Sequence, residues 1–216
     1  MGDITLWGRL NSANVQKVSW LLEELDLAYE HVPLGGPFAG NNDPDYLALN
    51  PNGLVPTLRD GDLVLWESHA IVRYLTATYS KGKLWPEDPR DRAIVDQWTD
   101  WTASTFQRGW ITLFWLIVRT PRDQHDAAAI SRALADTNAA LRLMDRRLEA
   151  SPFLGGDTFT YADVVSGVAM YRLATMGIDR ADVPNVDAWH ERLRQRPAFR
   201  KMVEVSYDDL IGRLSF

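Results

Sequence analysis

Cysteine is absent from this 216-residue chain, and histidine occurs only four times. Without a thiol, disulfides, thiolate metal ligation and any mechanism in which the protein itself forms a mixed disulfide are excluded. His31, His69, His125 and His190 stand far apart and in no metal-ligand spacing, so no metal site is expected. No apolar run approaches the roughly 18 residues of a membrane span. The opening Met1-Gly2-Asp3-Ile4 carries no apolar leader, and a cytoplasmic protein is the expectation. A basic stripe is missing as well: the net charge of −6 is spread along the chain, which argues against nucleic acid as a partner. What the chain has in plenty is apolar material, 46% of its residues including nine tryptophans, ample for a core.

The most informative stretch runs from Asn50 to Ile71. Asn50-Pro51-Asn52-Gly53 reads as a turn, Val55 to Leu58 as the start of a strand, Asp60-Gly61 as a tight turn, Leu63 to Trp66 as a second strand, and Glu67-Ser68 as the opening of a helix. Pro56 has no N–H for a central ladder, so it favours an edge, a first strand position or a cis bond. Such a kink would turn the N–H and C=O of Val55 outward, free to pair with an extended peptide. The first-turn amides of the helix after Trp66 are unsatisfied and carry partial positive charge, and Ser68 adds a hydroxyl, so a carboxylate is the natural guest. Glu67 would repel a carboxylate but suits an amino group on the same carbon. An α-amino acid terminus is the ligand these residues imply, although helix capping by Glu67 and Ser68 is the plainer account of each residue alone.

Around this stretch the element order is that of an α/β domain. Residues 3 to 7 read as a strand and Gly8 to Asn14 as a turn. Val15, Val18, Leu22 and Leu25 lie at helical spacing, and Tyr29 to Pro33 form a second strand across a βαβ crossover. With a short helix in Asp43–Leu49 and a helix from Glu67 to Tyr79, the order βαβ, α, ββα is thioredoxin-like. Gly82, Pro86 and Pro89 mark a linker over 81–89, beyond which strand signals vanish. A long helix over 90–119, bending near Gly109, then a partner over 124–149 and two further helices make residues 90–216 an all-helical bundle domain. Thr160 and Asp163 form a capping-box pair, with Asp163 expected to be buried and structural.

The run Asn50-Pro51-Asn52-Gly53-Leu54-Val55-Pro56, followed by Glu67-Ser68-His69-Ala70-Ile71 and Arg73-Tyr74-Leu75, resembles the glutathione transferase superfamily over nearly the whole chain. The resemblance implies glutathione as co-substrate, lying along Leu54, Val55 and Pro56 with its γ-glutamyl end at Glu67 and Ser68. It also implies a homodimer. Leu54 departs from the pattern, since many relatives have Gln or Lys there, and the loop Phe38 to Asn42 is then expected to serve the glycyl end.

The thiol of glutathione would point to the turn before the first helix. A free thiol has a pKa of about 8.5, so the thiolate needs stabilising, which helix N-terminal amides and one hydroxyl or amide donor can do. Ser12 and Asn14 are both available. Ser12 to Val18 is similar to the Ser-x-x-x-Arg-Arg-Val of serine-using theta-like and phi-like classes, and Ser12-x-Asn14-x-x-Lys17 to the Thr-x-Asn-x-x-Lys of a nu-like bacterial branch; both remain open. Leu10, Phe106, Trp110 and Phe114 are candidates for an apolar wall facing a small electrophile. The leading expectation is a transferase that conjugates glutathione. Glutathione-dependent disulfide or peroxide reduction, and a non-catalytic binding or assembly module, are the alternatives.

Overall fold

Two short apolar runs joined by Asp60-Gly61 form an antiparallel hairpin, β3 (Thr57–Asp60) and β4 (Leu63–Trp66), in the computed structural model, which describes residues 4–215. Gly61 takes a φ of +61° in the turn, where a side chain would be strained. The hairpin extends a sheet in the order β2-β1-β3-β4, with β1 (Ile4–Trp7) parallel to β2 (Tyr29–Val32) and antiparallel to β3. Asp3, expected to open the first strand, lies outside the described residues. The helices of this unit are α1 (Ala13–Glu24), α2 (Pro44–Leu49) and α3 (Ser68–Tyr79). Asp60, at the end of β3, accepts hydrogen bonds from the phenols of Tyr74 (2.8 Å) and Tyr79, which ties α3 to the sheet and pushes the Tyr79 hydroxyl up to about 12.

The boundary after residue 80 is close to where Gly and Pro cluster, but the units differ from expectation in two places. The chain divides between Lys81 and Gly82, and the segment expected as a linker packs with the helical unit: Leu84 is buried, and Trp85 stacks on Tyr161 at 5.3 Å. Residues Pro197–Val205, expected to belong to the helical bundle, belong instead to the first unit. They carry α9 (Pro197–Met202), which packs on α1: Phe199 meets Trp20 edge-on at 4.9 Å, Gln16 donates to the carbonyl of Val203 (3.2 Å), and Lys201 pairs with Glu23. Covered by α3 and α9, α1 buries every residue from Val15 to Leu22, not only an apolar stripe.

In the helical unit a continuous helical path runs from α4 (Pro89–Trp101) through a widened π turn (Thr102–Phe106) and α5 (Gln107–Phe114) to a second π turn (Trp115–Arg119). The irregularity falls at Thr102, whose hydroxyl lies 2.8 Å from the carbonyl of Trp98 and 2.7 Å from the hydroxyl of Ser166. Gly109, expected to mark a bend, serves a close approach: a Cβ there would lie 2.9 Å from the Thr137 hydroxyl and 3.2 Å from its backbone. Thr137 belongs to α6 (Ala127–Ala150), which lies beside α5. The unit is completed by α7 (Tyr161–Thr175) and α8 (Pro184–Arg194).

Asp163 is fully buried near the start of α7. Its carboxylate accepts from the N–H of Leu154 (2.9 Å), the N–H and hydroxyl of Thr160 (2.9 and 3.1 Å) and the indole of Trp189 (2.9 Å). Burial pushes the carboxyl pKa upward, and these donors oppose that shift. Phe159 meets Phe153 edge-on at 6.0 Å and receives the Arg196 guanidinium at 3.9 Å. Removing one acceptor that serves several buried donors costs about 3–5 kcal/mol. Asp163→Ala is therefore expected to lower the urea midpoint by that equivalent, and Asp163→Asn, which keeps one acceptor, by less; an unchanged midpoint for Asp163→Ala would remove this carboxylate from the stability of the helical unit.

Candidate functional site

The path from β1 to α1 is shaped by Gly8, at a φ of +145°. A Cβ there would fall 2.4 Å from a methyl of Val15 and 3.2 Å from the Cβ of Val55, so only glycine lets the turn pass this close. Its N–H donates to Val32 (3.0 Å), and its carbonyl lies 2.7 Å from Nε2 of His31. The opening of α1 and the segment at Val55 are thereby neighbours, although some forty residues separate them in sequence.

Ser12 is the N-cap residue of α1 by backbone geometry, with φ −82° and ψ 123°, and its carbonyl accepts the N–H of Gln16 (2.9 Å). Its hydroxyl makes no capping bond. Asn14 is engaged through its oxygen, which accepts from Nζ of Lys17 at 3.0 Å.

At Val55 the backbone is held from one side only. The carbonyl of Leu54 accepts from the Tyr46 hydroxyl (2.5 Å) and the Asn50 amide (2.8 Å), and Thr57 lies 2.8 Å from the former and 3.1 Å from the latter. The Asn50 oxygen accepts from the N–H of Asn52 (3.1 Å), and Asn41 donates to the carbonyl of Gly53 (2.7 Å). Among the described residues no backbone group pairs with the N–H or C=O of Val55. The Val55–Pro56 bond is cis, and the strand begins at Thr57, so the missing N–H of Pro56 costs no ladder bond. Leu54 projects outward, 65% exposed, and in the loop expected to serve the glycyl end Phe38 is exposed while the Asn41 amide is already engaged with Gly53.

Glu67 occupies the N-cap position of α3 at φ +72° and ψ 108°, a region that non-glycine residues enter only where the surroundings hold them there. Its carbonyl accepts the N–H of Ile71 (2.9 Å), its side chain caps nothing, and Ser68 behind it is buried. Neither α1 nor α3 is thus capped by its own N-cap side chain, and the first-turn amides of both remain available to an anion.

Two residues near these openings were not singled out as site residues from sequence: Lys17 entered only through the spacing Ser12-x-Asn14-x-x-Lys17, and His69 only within the run Glu67 to Ile71. Lys17 is 1% exposed, with Nζ 3.0 Å from the Asn14 oxygen and 3.0 Å from Nε2 of His69 in the first turn of α3. This contact fixes the openings of α1 and α3 side by side. Burial drives the Lys17 pKa down to about 7, against the opposing pull of Glu67. The available signal was the single charged residue in the run Val15 to Leu22.

Phe106, Trp110 and Phe114, expected as an apolar wall, are core residues of the helical unit. Phe106 stacks on Trp101 at 5.8 Å, Trp110 meets Phe114 at 6.3 Å, and Phe114 meets Tyr207 at 5.4 Å. Their helical spacing put them on the inward stripe, which leaves almost no surface for a ligand. Leu10, in the turn before Ser12, is 39% exposed.

Comparison with known proteins agrees with this architecture. The sequence model of the glutathione S-transferase N-terminal domain matches residues 2–77, and that of the C-terminal domain matches residues 106–197. The chain belongs to the glutathione S-transferase family. It is 43% identical over 204 residues to glutathione S-transferase GstB of Escherichia coli K12, covering 94% of this chain and 98% of that protein. It is 34% identical to glutathione S-transferase 3 of Zea mays, covering 94% of each. Its fold matches that of a theta class glutathione S-transferase from the citrus canker pathogen Xanthomonas axonopodis pv. citri, solved with glutathione bound, with a TM-score of 0.91, 47% identity and coverage of 95% and 99%.

The Lys17 environment has a measurable consequence. Its ordinary pKa is 10.5, and folding lowers it to about 7, so between these values the unfolded chain binds the additional proton. Stability contributed by this group therefore rises as pH climbs from about 7 to about 10.5 and is lowest, with the charged amine buried, below about 7. The stability advantage of Lys17→Met over the unchanged protein is expected to be largest below about pH 7 and to shrink steadily above it. Urea unfolding at several pH values measures this difference, and a difference independent of pH would contradict the buried-amine assignment.

Proposed function

We propose that this chain conjugates glutathione to a small, largely apolar electrophile, with glutathione laid along Val55. The observation that carries the reading is the pair of uncapped helix openings flanking an unpaired backbone at Val55. The peptide of the cysteinyl residue pairs with the N–H and C=O of Val55. The γ-glutamyl carboxylate takes the first-turn amides of α3 and the hydroxyl of Ser68, and the α-amino group takes the carboxylate of Glu67. Sulfur then meets the Ser12 hydroxyl and the first-turn amides of α1, with the Asn14 amide as second donor. Each of these strengthens as charge develops on sulfur, so the thiol pKa falls without any group acting as base.

In the reaction the thiolate forms a C–S bond to the electrophilic carbon, while the bond to the leaving group breaks and that group departs with its electron pair. The thiol proton has by then passed to solvent. Leu10, exposed beside Ser12, supplies apolar surface for the electrophile. A cytoplasmic homodimer is part of the same reading, supported by likeness to the family and checked by light scattering.

Removing one donor to a developing anion typically costs about 10²–10³ in turnover. Ser12→Ala is expected to lower kcat for conjugation of an activated chloronitrobenzene by about that factor and to move the acid limb of the pH profile upward. Glu67→Ala is expected to weaken glutathione binding by about tenfold or more, the loss of one charge-assisted hydrogen bond, with a smaller effect on turnover at saturation. Steady-state kinetics and calorimetry read both; unchanged turnover in Ser12→Ala would remove the hydroxyl from the mechanism.

A further inference from the structure

Lys17 is a buried amine in a place that the binding of glutathione does not require. An ammonium has three donors and no acceptor, so the Asn14 atom 3.0 Å from it is the amide oxygen, and the NH2 of Asn14 is turned to the other side of the amide plane. Without Lys17 the amide could rotate and present its oxygen, which would repel a thiolate, as readily as its NH2. His69, 3.0 Å from Nζ on the far side, accepts from the charged amine through Nε2 and so carries its own proton on Nδ1. Asn14 sits in the first turn of α1, two residues after Ser12, and no described group holds its NH2.

We propose that Lys17 is a positioning residue for thiolate formation: it grips Asn14 by the oxygen, is itself braced by His69, and so commits the Asn14 NH2 to donate toward sulfur. The inference rests on the docking of glutathione described above. Glu67 and His69, both at the start of α3, are among the charged and titratable groups facing Lys17. On the opposite side of α1, toward α9, the polar contacts are Gln16 to the Val203 carbonyl and Lys201 to Glu23. The amine stands beside the openings of both helices, and the Glu67 carboxylate opposes the effect of burial on its charge. As the amine loses its proton, its hold on the Asn14 oxygen weakens and the His69 proton is free to move to Nε2.

The test is a double-mutant cycle on kcat/KM against pH, together with the ultraviolet absorbance of bound glutathione thiolate. Lys17→Met and Asn14→Ala are each expected to raise the acid-limb pKa by about one unit, the effect of one hydrogen bond to a charged group. The double variant is expected to shift it no further than either alone, because both remove the same donor. Lys17→Arg, which keeps a donor to the Asn14 oxygen, is expected to restore most of the thiolate absorbance, and His69→Gln to shift the pKa in the same direction by less. Additive shifts, or a Lys17→Met profile matching the unchanged protein while Asn14→Ala moves, would overturn the proposal. If Lys17→Met fails to fold, the Lys17→Arg and His69→Gln profiles decide it: neither moving while Asn14→Ala does rules out the relay. Calorimetry with glutathione on the unchanged protein separates the two levels, since absence of binding there defeats the docking itself and not the relay.

Discussion

Two α-helices that begin side by side put two positive poles in one place, and the α1 and α3 openings do so around the Lys17–His69 contact. Each pole carries unsatisfied N–H groups, and neither N-cap residue contributes a side chain to them. Such an arrangement is unfavourable when empty and favourable around negative charge. The cost is partly offset within the chain by Glu67, held at a positive φ where its carboxylate faces the same region, and the residual demand is for an anion. A ligand with a carboxylate at one end and an ionisable sulfur in the middle supplies negative charge at both poles.

The sheet exists, for this purpose, to bring the poles to a shared edge of peptide. Gly8 allows β1 to leave the sheet against Val15 and Val55 together, and the Tyr46–Asn50–Thr57 network stiffens the chain just before the strand it feeds. The network spends the Leu54 carbonyl internally and leaves Val55 unpaired. Rigidity on one side and open backbone on the other is what lets a strand-like ligand be held without reorganisation.

Local chemistry in the sequence was sufficient for the parts of this site that lie within one turn or one hairpin. Asp60-Gly61 makes the hairpin turn, Pro56 precedes the strand, and Ser12 and Glu67 stand at the N-cap positions of α1 and α3, although the positive φ of Glu67 carries no signal in its residue type. The failures share a different cause. Lys17 and His69 meet across 52 residues, and α9 returns from beyond the helical unit to cover α1; no pattern in either partner announces the other. The aromatic series at Phe106, Trp110 and Phe114 was legible as a helix face, but spacing alone does not say whether a face meets core or ligand. Gly109 was read as a bend, whereas its absence of a side chain is what admits Thr137.

Polar preorganisation is distributed unevenly along the proposed ligand. On the proposed docking the γ-glutamyl end would meet the buried Ser68, the Glu67 carboxylate and the first-turn amides of α3, whereas toward the glycyl end Leu54 is largely exposed and Asn41 is already bonded to Gly53. On that docking, binding energy would be concentrated at one end and at the sulfur. Because hydrogen bonds to sulfur gain strength only as the thiol ionises, whereas those to the γ-glutamyl group are equal before and after, the two sets do different work. On the proposed docking, contacts at Glu67 and Ser68 would set how tightly the tripeptide is held, and those at Ser12 and Asn14 how readily it reacts. Lys17 meets Asn14 of the second set on one side and His69, the neighbour of Ser68, on the other.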